Sequence, residues 1–559
     1  MTQPLAKSDA LYEISPRVPD TSDWPQETIE REIRPMPDRY RNPIGKYRIN
    51  RLAGCISCGR CAEVCSYGVH IKPEGYALML RPQDHLCIGP ACSDASRNCL
   101  SQCPQKALTM QLNPNVECLG DSRWSSDLIL STWYEAATGN TPPSYLEYRH
   151  GASGGGFDRI RFRFEMPGLA DQLQIPSAEK RMGAKDSLFA EIDTGLDLNH
   201  RDDGRPQVHI DIPVYGGGMS FGSVSIHTIL AKARAAVAWN SLSCTGEGGY
   251  PDRLRPYDDH MITQVATGLF GVREETIQRV RIVEFKYAQG AKPGLGGHLL
   301  GDKNTPAVAR MRGAVPGNAL FSPFPFHSVY SVEDHKKHLD WIKEVNPHCL
   351  VSVKVSTPTD VDMVAVGSYY AGAHIIHLDG SYGGTGAAPD IAKKNIAMPI
   401  EYAIPKVHKF LSAEGIREKI TLIASGGIRT AYDALKAIAL GADGVVIGTA
   451  ELVALGCVRC ACCESGRGCP RGIASTDPEL INLMNLEWAT QRLINLQNAW
   501  HEQMIAVLKR LGMTSIRELR GRSDVLCYLA EEAAHADPDS PSSRGDQQVA
   551  RRIEMMSKT

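Results

Sequence analysis

The sequence has little net charge, no long apolar run and no leader pattern at its start. A formal charge of −2 over 559 residues leaves no electrostatic case for nucleic acid or an anionic membrane as a partner. No apolar stretch approaches the roughly 20 residues that span a bilayer. The opening MTQPLAKSDALYEISPRVPD lacks the charged-then-apolar pattern of a secretory signal. Low-complexity repeats are absent. The glycine fingerprint of a dinucleotide fold is also missing after the first strand, which argues against direct NAD(P)H binding. The hydrophobic fraction of 43% and charged fraction of 22% are those of a soluble globular protein. The length suits three or four domains, or one large barrel with additions.

What the chain has in abundance is cysteine, 17 residues in all, grouped at tight spacings. Cys55, Cys58, Cys61 and Cys65 form C-x2-C-x2-C-x3-C, and Cys87, Cys92, Cys99 and Cys103 follow, with Pro104 after the last. Zinc sites use pairs of C-x2-C rather than a triple followed by a fourth. Disulfides would need an oxidising compartment. The triple suits an iron–sulfur cube, and the fourth cysteine of such a run ligates the other cluster in two-cluster ferredoxins. Cys55, Cys58, Cys61 and Cys103 are therefore assigned to one 4Fe–4S cluster, and Cys65, Cys87, Cys92 and Cys99 to a second. A reducing cytoplasmic location is expected for such a cysteine content.

The organisation expected is an arm (1–45), a ferredoxin-like module (46–118), a connector (119–165), a barrel domain (166–476), a helical extension (477–535) and a mobile tail (536–559). The connector holds WSSDLILSTWYEAATG, a short helix, and the flexible GASGGG. From about residue 207, β-branched runs alternate with helical stretches. The strands expected are 208–215, 241–244, 281–287, 319–324, 350–356, 374–379, 420–425 and 444–448. Eight such units suit a (β/α)8 TIM barrel, with a doubly wound open sheet as the alternative.

Most of these strands run into a glycine-rich or polar motif, and barrel chemistry sits at the C-terminal strand ends. Ser425-Gly426-Gly427 and Gly448-Thr449 end the last two strands, where loops often build a phosphate site from backbone amides. Beside an electron-transfer module this points to FMN, a phosphate-bearing cofactor that takes single electrons and passes a hydride. After the last strand, Cys457, Cys460, Cys462, Cys463 and Cys469 suit a further iron–sulfur site, with Cys462 a bystander.

The motifs GGGMSFGS (216–223), TGEGG (245–249), AQGAKPG (288–294), GGTGAAP (383–389), SGGIRT (425–430) and CPRGIA (469–474) occur in the order that marks the glutamate synthase family. With the ferredoxin module in front, the chain resembles its archaeal type. The resemblance implies an FMN-binding (β/α)8 barrel beside a 3Fe–4S cluster, and reductive amination of 2-oxoglutarate. It implies flavin contacts at Gly217, Gly218, Met219, Ser220, Gly383, Gly384, Thr385, Ser425, Gly426, Gly427, Gly448 and Thr449, and a role for Glu247 in ammonia entry or gating.

The third cysteine group runs C-x5-C-x5-C over Cys457, Cys463 and Cys469, one residue longer than the family pattern. Cys460 would complete a four-cysteine set, so 3Fe–4S and 4Fe–4S both stand. Ser381 and Tyr382 occupy the places before GGTGA where the family usually has an acid, which leaves room for a substrate other than plain 2-oxoglutarate. No glutamine-hydrolysing domain is present, which makes free ammonia or a separate amidotransferase subunit the nitrogen source. Reduced ferredoxin or an NADPH-oxidising flavoprotein would supply electrons, and an oligomer is expected.

Lys354, near the end of a central strand, would face the flavin, where a positive charge stabilises the reduced ring, or else hold a substrate carboxylate. Gln289 and Lys292 suit carboxylate recognition. His374 and His377, three apart on one strand, point to opposite faces and read as core packing. Two other functions compete with the synthase: the catalytic subunit of an N-methylglutamate-synthase-like enzyme, and a non-catalytic electron-transfer subunit.

Overall fold

Eight parallel strands close into a barrel, each paired to the next in chain order, with the last (Gly444–Ile447) pairing the first (Val214–Gly216). The computed structural model describes residues 29–37, 45–89, 92, 98–142, 156–164, 192–384, 388, 391–393, 395–464 and 467–528. Thr385, residues 151–155 of the GASGGG segment, most of the arm and the tail lie outside the described residues.

Three of the expected strands differ. The third barrel strand is Met261–Ala266, buried at all six positions, so Ile282–Lys286 is the fourth strand and not the third. Nine residues of tight 3-10 turns (Asp252–His260) precede Met261 in place of the amphipathic helix that announces most barrel strands. The run 319–324 is no barrel strand. Its Leu320–Phe321 pairs antiparallel with His298–Leu299 in a hairpin over the loop after strand four. The expected first strand, 208–215, is also broken. His209–Ile210 pairs with Leu196–Asp197, and the barrel strand begins only after Pro213, whose missing N–H suits a break.

The barrel interior is layered. Ile262, Ile282, Leu350, Ile375 and Ile423 pack at its N-terminal end, where Leu196, Leu198, Val208 and Ile210 plug it from below. Inward positions recur every second residue. Two residues further along, the same strands therefore turn Gln264, Glu284, Ser352, His377 and Ser425 inward, and two further still Lys286, Lys354 and Asp379.

The helix Ser126–Thr138, expected from the connector sequence, is capped by Ser125, whose side chain accepts from the Leu128 N–H. It packs with Ile226–Ala238 against the long helix Leu486–Arg510. Buried Arg492 ties these parts together, donating to the Ala454, Trp133 and Met36 carbonyls. Residues 29–37 lie on the same helix, where Trp488 and Gln491 donate to the Pro37 and Glu32 carbonyls.

In the cysteine module, Tyr47–Arg51 pairs antiparallel with Leu108–Leu112. The Tyr47–Leu112 end faces the barrel. Lys46 pairs with Asp127 at 3.1 Å, and the chain beyond Leu112 reaches Gly120, whose N–H donates to the Val458 carbonyl, and Asp121, which pairs with Arg459. The Arg51–Leu108 end points away.

Candidate active site

At the C-terminal mouth of the barrel a chain of buried polar groups replaces the apolar filling. Lys354, near the end of strand five (Leu350–Ser356), pairs with Asp379 at 3.3 Å. Asp379 also accepts from the Gly290 N–H and from the Ser425 hydroxyl at 2.6 Å. Below, His377 sits between Ser425 Oγ at 2.8 Å and Glu284 Oε2 at 3.0 Å. Glu284 further accepts from Gln264 and Ser352. The Ser425 hydroxyl thereby links Asp379 to His377, and the imidazole links Ser425 to Glu284. Along the layer the carboxylates of Glu284 and Asp379 thus alternate with the His377 imidazole and the Lys354 ammonium.

The electrostatics agree with that alternation. Burial works against the charge on Glu284, but His377 and Lys354 outweigh it and pull the carboxyl down to about 2. Burial likewise opposes the Lys354 ammonium, yet Asp379 and Glu284 lift it above the ordinary lysine range. Such a pair has desolvation and attraction closely balanced, and removing one partner is costly.

Beside this layer lies a second charged group with cations in excess. Glu247, from the loop after strand two, accepts from Lys286 at 3.2 Å and from the Ser322 hydroxyl at 3.4 Å. Burial raises its carboxyl, but Lys286 and Lys292 prevail and hold it below the ordinary glutamate range. Lys292 is buried, and burial together with Lys286 pushes its ammonium down to about 8. Arg312 donates to Ser220 Oγ at 3.0 Å and to the Phe221 carbonyl at 3.1 Å, fixing the first loop. Gln289 is half-buried, and its carbonyl accepts from the Lys292 N–H.

Across the mouth, Tyr382 lies under the Arg123 guanidinium, 3.5 Å from its ring centroid. Arg123 is held from behind by Arg429, which donates to the Arg123 carbonyl and pairs with Asp158 and Asp433. Gly426 and Gly427 both have positive φ (+91° and +117°), and a methyl on Gly426 would collide with the Gly380 carbonyl. Gly383 and Gly384 close on this side, the latter against Thr449 Oγ1. Gly217 donates its N–H to the Ile447 carbonyl, and Met219 reaches Gly448. The expected glycine loops therefore converge on one rim.

The cysteines fall into three groups. Cys55, Cys58, Cys61 and Cys103 line one cavity. The thiol of Cys99 is pushed up to about 12 by burial and by Cys65, Cys87, Cys61 and Cys92, and that of Cys87 is raised by burial with Cys65 and Cys92 contributing. Burial and the neighbouring Cys463 and Cys469 likewise push Cys457 up to about 11. Cys460 is exposed and Cys462 half-buried. Among the described residues no three His, Cys, Asp or Glu side chains converge as the ligands of a single metal ion would.

Of the two histidines, the opposite-face reading holds, but only His374 is plain packing. It bonds Asp203 at 2.8 Å on the outer side of the sheet, while His377 belongs to the ionic layer. Sequence reasoning missed Glu284, Lys286, Arg312 and Arg123. Glu284 and Lys286 carried a usable signal: charged residues at alternate positions inside an otherwise apolar strand. Arg123 carried none, since it reaches the mouth from the connector.

A model of the conserved region in glutamate synthase matches residues 163–514. The chain is 36% identical over 491 residues to the archaeal-type glutamate synthase (NADPH) of Thermotoga maritima, covering 84% of this chain and 92% of that protein. It is 34% identical over 510 residues to the archaeal glutamate synthase (NADPH) of Methanocaldococcus jannaschii, covering 88% and 95%. To the large chain of the glutamate synthase (NADPH) of Azospirillum brasilense it is 37% identical over 329 residues, 57% of this chain and 21% of that one. An eight-stranded barrel with an ionic mouth, matched over its whole extent, together with relatives that cover 84% and 88% of the chain, makes this chain a member of the glutamate synthase family and an oxidoreductase of the class acting on CH–NH2 groups.

Proposed function

We propose that this glutamate-synthase-type enzyme reductively aminates 2-oxoglutarate to L-glutamate, with FMN at the barrel mouth and iron–sulfur clusters at the three cysteine groups. The observation that carries this reading is the cation excess at the mouth. Lys286, Lys292 and Arg312 stand around one carboxylate, Glu247, next to the internally neutral Lys354–Asp379 pair. A buried site with that balance suits a dicarboxylate.

The residues present fit the cofactors. The rim is formed by Gly217, Gly218, Met219 and Ser220 on one side and Gly383, Gly384, Gly426, Gly427, Gly448 and Thr449 on the other, and a Cβ at Gly217, Gly218, Gly384 or Gly426 would crowd neighbouring atoms, so backbone rather than side chains builds it. Lys354 and Gln289 would hold the flavin ring, and the backbone of the last two loops its phosphate. Bound there, FMN supplies hydride and single-electron chemistry. The cysteine spacings suit cubes rather than a tetrahedral zinc ion.

The chain's own residues do the rest. Lys286 and Lys292 bind substrate carboxylate. Arg312 keeps Ser220 in place. Lys354 holds a proton on Nζ against Asp379 and keeps its charge beside the reacting carbon. Glu247, an ionised acceptor, receives N–H from the incoming nitrogen. Tyr382, clamped by Arg123, favours a second reading in which a primary amine such as methylamine replaces ammonia.

Both readings are tested in one assay. Anaerobic protein is reduced with dithionite, mixed with 2-oxoglutarate and either ammonium or methylamine, and followed by flavin reoxidation and product analysis. Glutamate formation is expected with ammonium. N-methylglutamate formed with methylamine alone would transfer the assignment to the second reading. Intact cofactors with no reoxidation by either would leave an electron-transfer subunit.

A pH signature follows from Lys292. Its ammonium is lost as pH rises through about 8, well below the ordinary lysine range. The ratio kcat/KM for 2-oxoglutarate is therefore expected to fall about tenfold per pH unit above 8. In Lys292→Arg, whose guanidinium does not titrate, the profile should stay flat there. Identical profiles would remove Lys292 from substrate binding.

A further inference from the structure

The cysteine module has two ends, and among the described residues one of them is uncovered. Its core of Ile49, Val69 and Leu108 lies among cysteines of both expected sets, touching Cys61, Cys65, Cys87, Cys99 and Cys103. The segment carrying Asp84 to Gly89 runs beside Gly45 and Tyr47, at the end tied to the barrel. Cys87 belongs to that segment, and its group (Cys65, Cys87, Cys92, Cys99) lies on the barrel side. From there the chain leads through Asn113–Asp121 to Val458 and Arg459, inside the third cysteine loop.

The other group, Cys55, Cys58, Cys61 and Cys103, lies at the far end, where the Leu52 N–H donates to the Ala107 carbonyl. This far end is apolar and exposed. Ile56, between the first two cysteines, is 63% exposed, and Leu78 is 73% exposed, with Leu52, Tyr76 and Leu80 also open. Cys58 itself is exposed. The segment 78–80 is held against the cysteine loop, with the Met79 N–H donating to Ser57 Oγ and Arg51 donating to the Met79 and Leu80 carbonyls.

Around the apolar centre stand cations. Lys72, which packs on Gly59, and Arg81 and Lys106 are exposed with no carboxylate partner among the described residues. Arg60 pairs with Glu63 at 3.0 Å, and Glu74 is the other exposed acid there. In a chain of net charge −2, a basic ring around an apolar centre is a local choice. An apolar centre with a charged rim is the anatomy of a transient protein interface, and the rim charge speeds the encounter.

We infer that this far end is the docking surface for an acidic one-electron carrier protein, and that electrons enter at the Cys55–Cys58–Cys61–Cys103 group and leave toward the barrel by way of the Cys65–Cys87–Cys92–Cys99 group. This rests on the iron–sulfur reading of the cysteines. In each encounter the carrier is oxidised by one electron and the outer cluster is reduced by one. Two encounters supply the pair needed for one substrate.

The test uses the full-length holoenzyme and a reduced, acidic 2Fe–2S ferredoxin as probe, with cluster reduction followed by stopped flow. The second-order rate constant is expected to fall steeply with salt, and to fall at least tenfold in Leu78→Glu and in Lys72→Glu. Both variants should be reduced by dithionite at the wild-type rate and show the wild-type cluster signals by electron paramagnetic resonance. Ferredoxin rates unchanged in both variants, or insensitive to salt, would overturn the docking surface. Absence of cluster signals from the wild-type protein would instead overturn the reading of the cysteines.

Discussion

Replacing Lys354 with methionine is expected to cut glutamate formation by at least about 100-fold, the scale lost when a fixed electrostatic group is removed from a reacting centre. The same change should cost about 3–5 kcal/mol of stability, because it leaves Asp379 buried without its cation. The two effects are separable. Asp379 is 5% exposed and receives its other bonds from Ser425 and the Gly290 N–H, so neutralising it relieves the orphaned charge. Lys354→Met with Asp379→Asn should therefore recover most of the stability in chemical denaturation and none of the turnover. A single variant that keeps normal turnover would show that Lys354 is only a counter-ion for Asp379.

The second large effect concerns Arg429, at the end of the SGGIRT motif. It is 2% exposed, pairs with Asp158 and with Asp433 at 3.2 Å, and donates to the Arg123 carbonyl at 3.0 Å. Arg429→Met takes the directly paired cation from two buried carboxylates and leaves them Lys436, at a cost of up to about 3–5 kcal/mol. Its functional consequence should be distinct, since Arg429 anchors the backbone of the residue that clamps Tyr382. Flavin retained after gel filtration is expected to drop along with the denaturation midpoint, while the iron–sulfur signals of the N-terminal groups stay unchanged. Loss of stability with full flavin retention would confine Arg429 to fastening residues 156–159 onto the barrel.

The barrel itself was legible because six of its eight strands are short, strongly apolar or β-branched runs that end in glycine motifs. The third strand escaped because tight turns rather than an amphipathic helix lead into it. The run 319–324 misled because a covering hairpin has the same composition as a strand. A one-dimensional pattern cannot say which sheet a short apolar segment joins, since the partner is supplied by chain closure far away. The helix at Ser126–Thr138 was legible for the opposite reason: its cap and its apolar face are local.

The sequence by itself determined the family, the cysteine groups and the loops that could form a mouth, because spacing and order along the chain carry those directly. Only the tertiary structure decided which charges meet. Glu284, Lys354, His377, Asp379 and Ser425 come from four different strands, and their pairing depends on the barrel register that puts Lys354 opposite His377 and Asp379 opposite Ser425. Tyr382 acquires Arg123 from the connector, more than 250 residues away in the chain, and Lys292 acquires its low affinity for a proton from burial beside Lys286. The orientation of the cysteine module, with one group toward the barrel and the other toward solvent, is likewise a property of docking contacts and not of the cysteine spacing. Charge pairing and desolvation act through space, so they appear only once the chain has closed on itself.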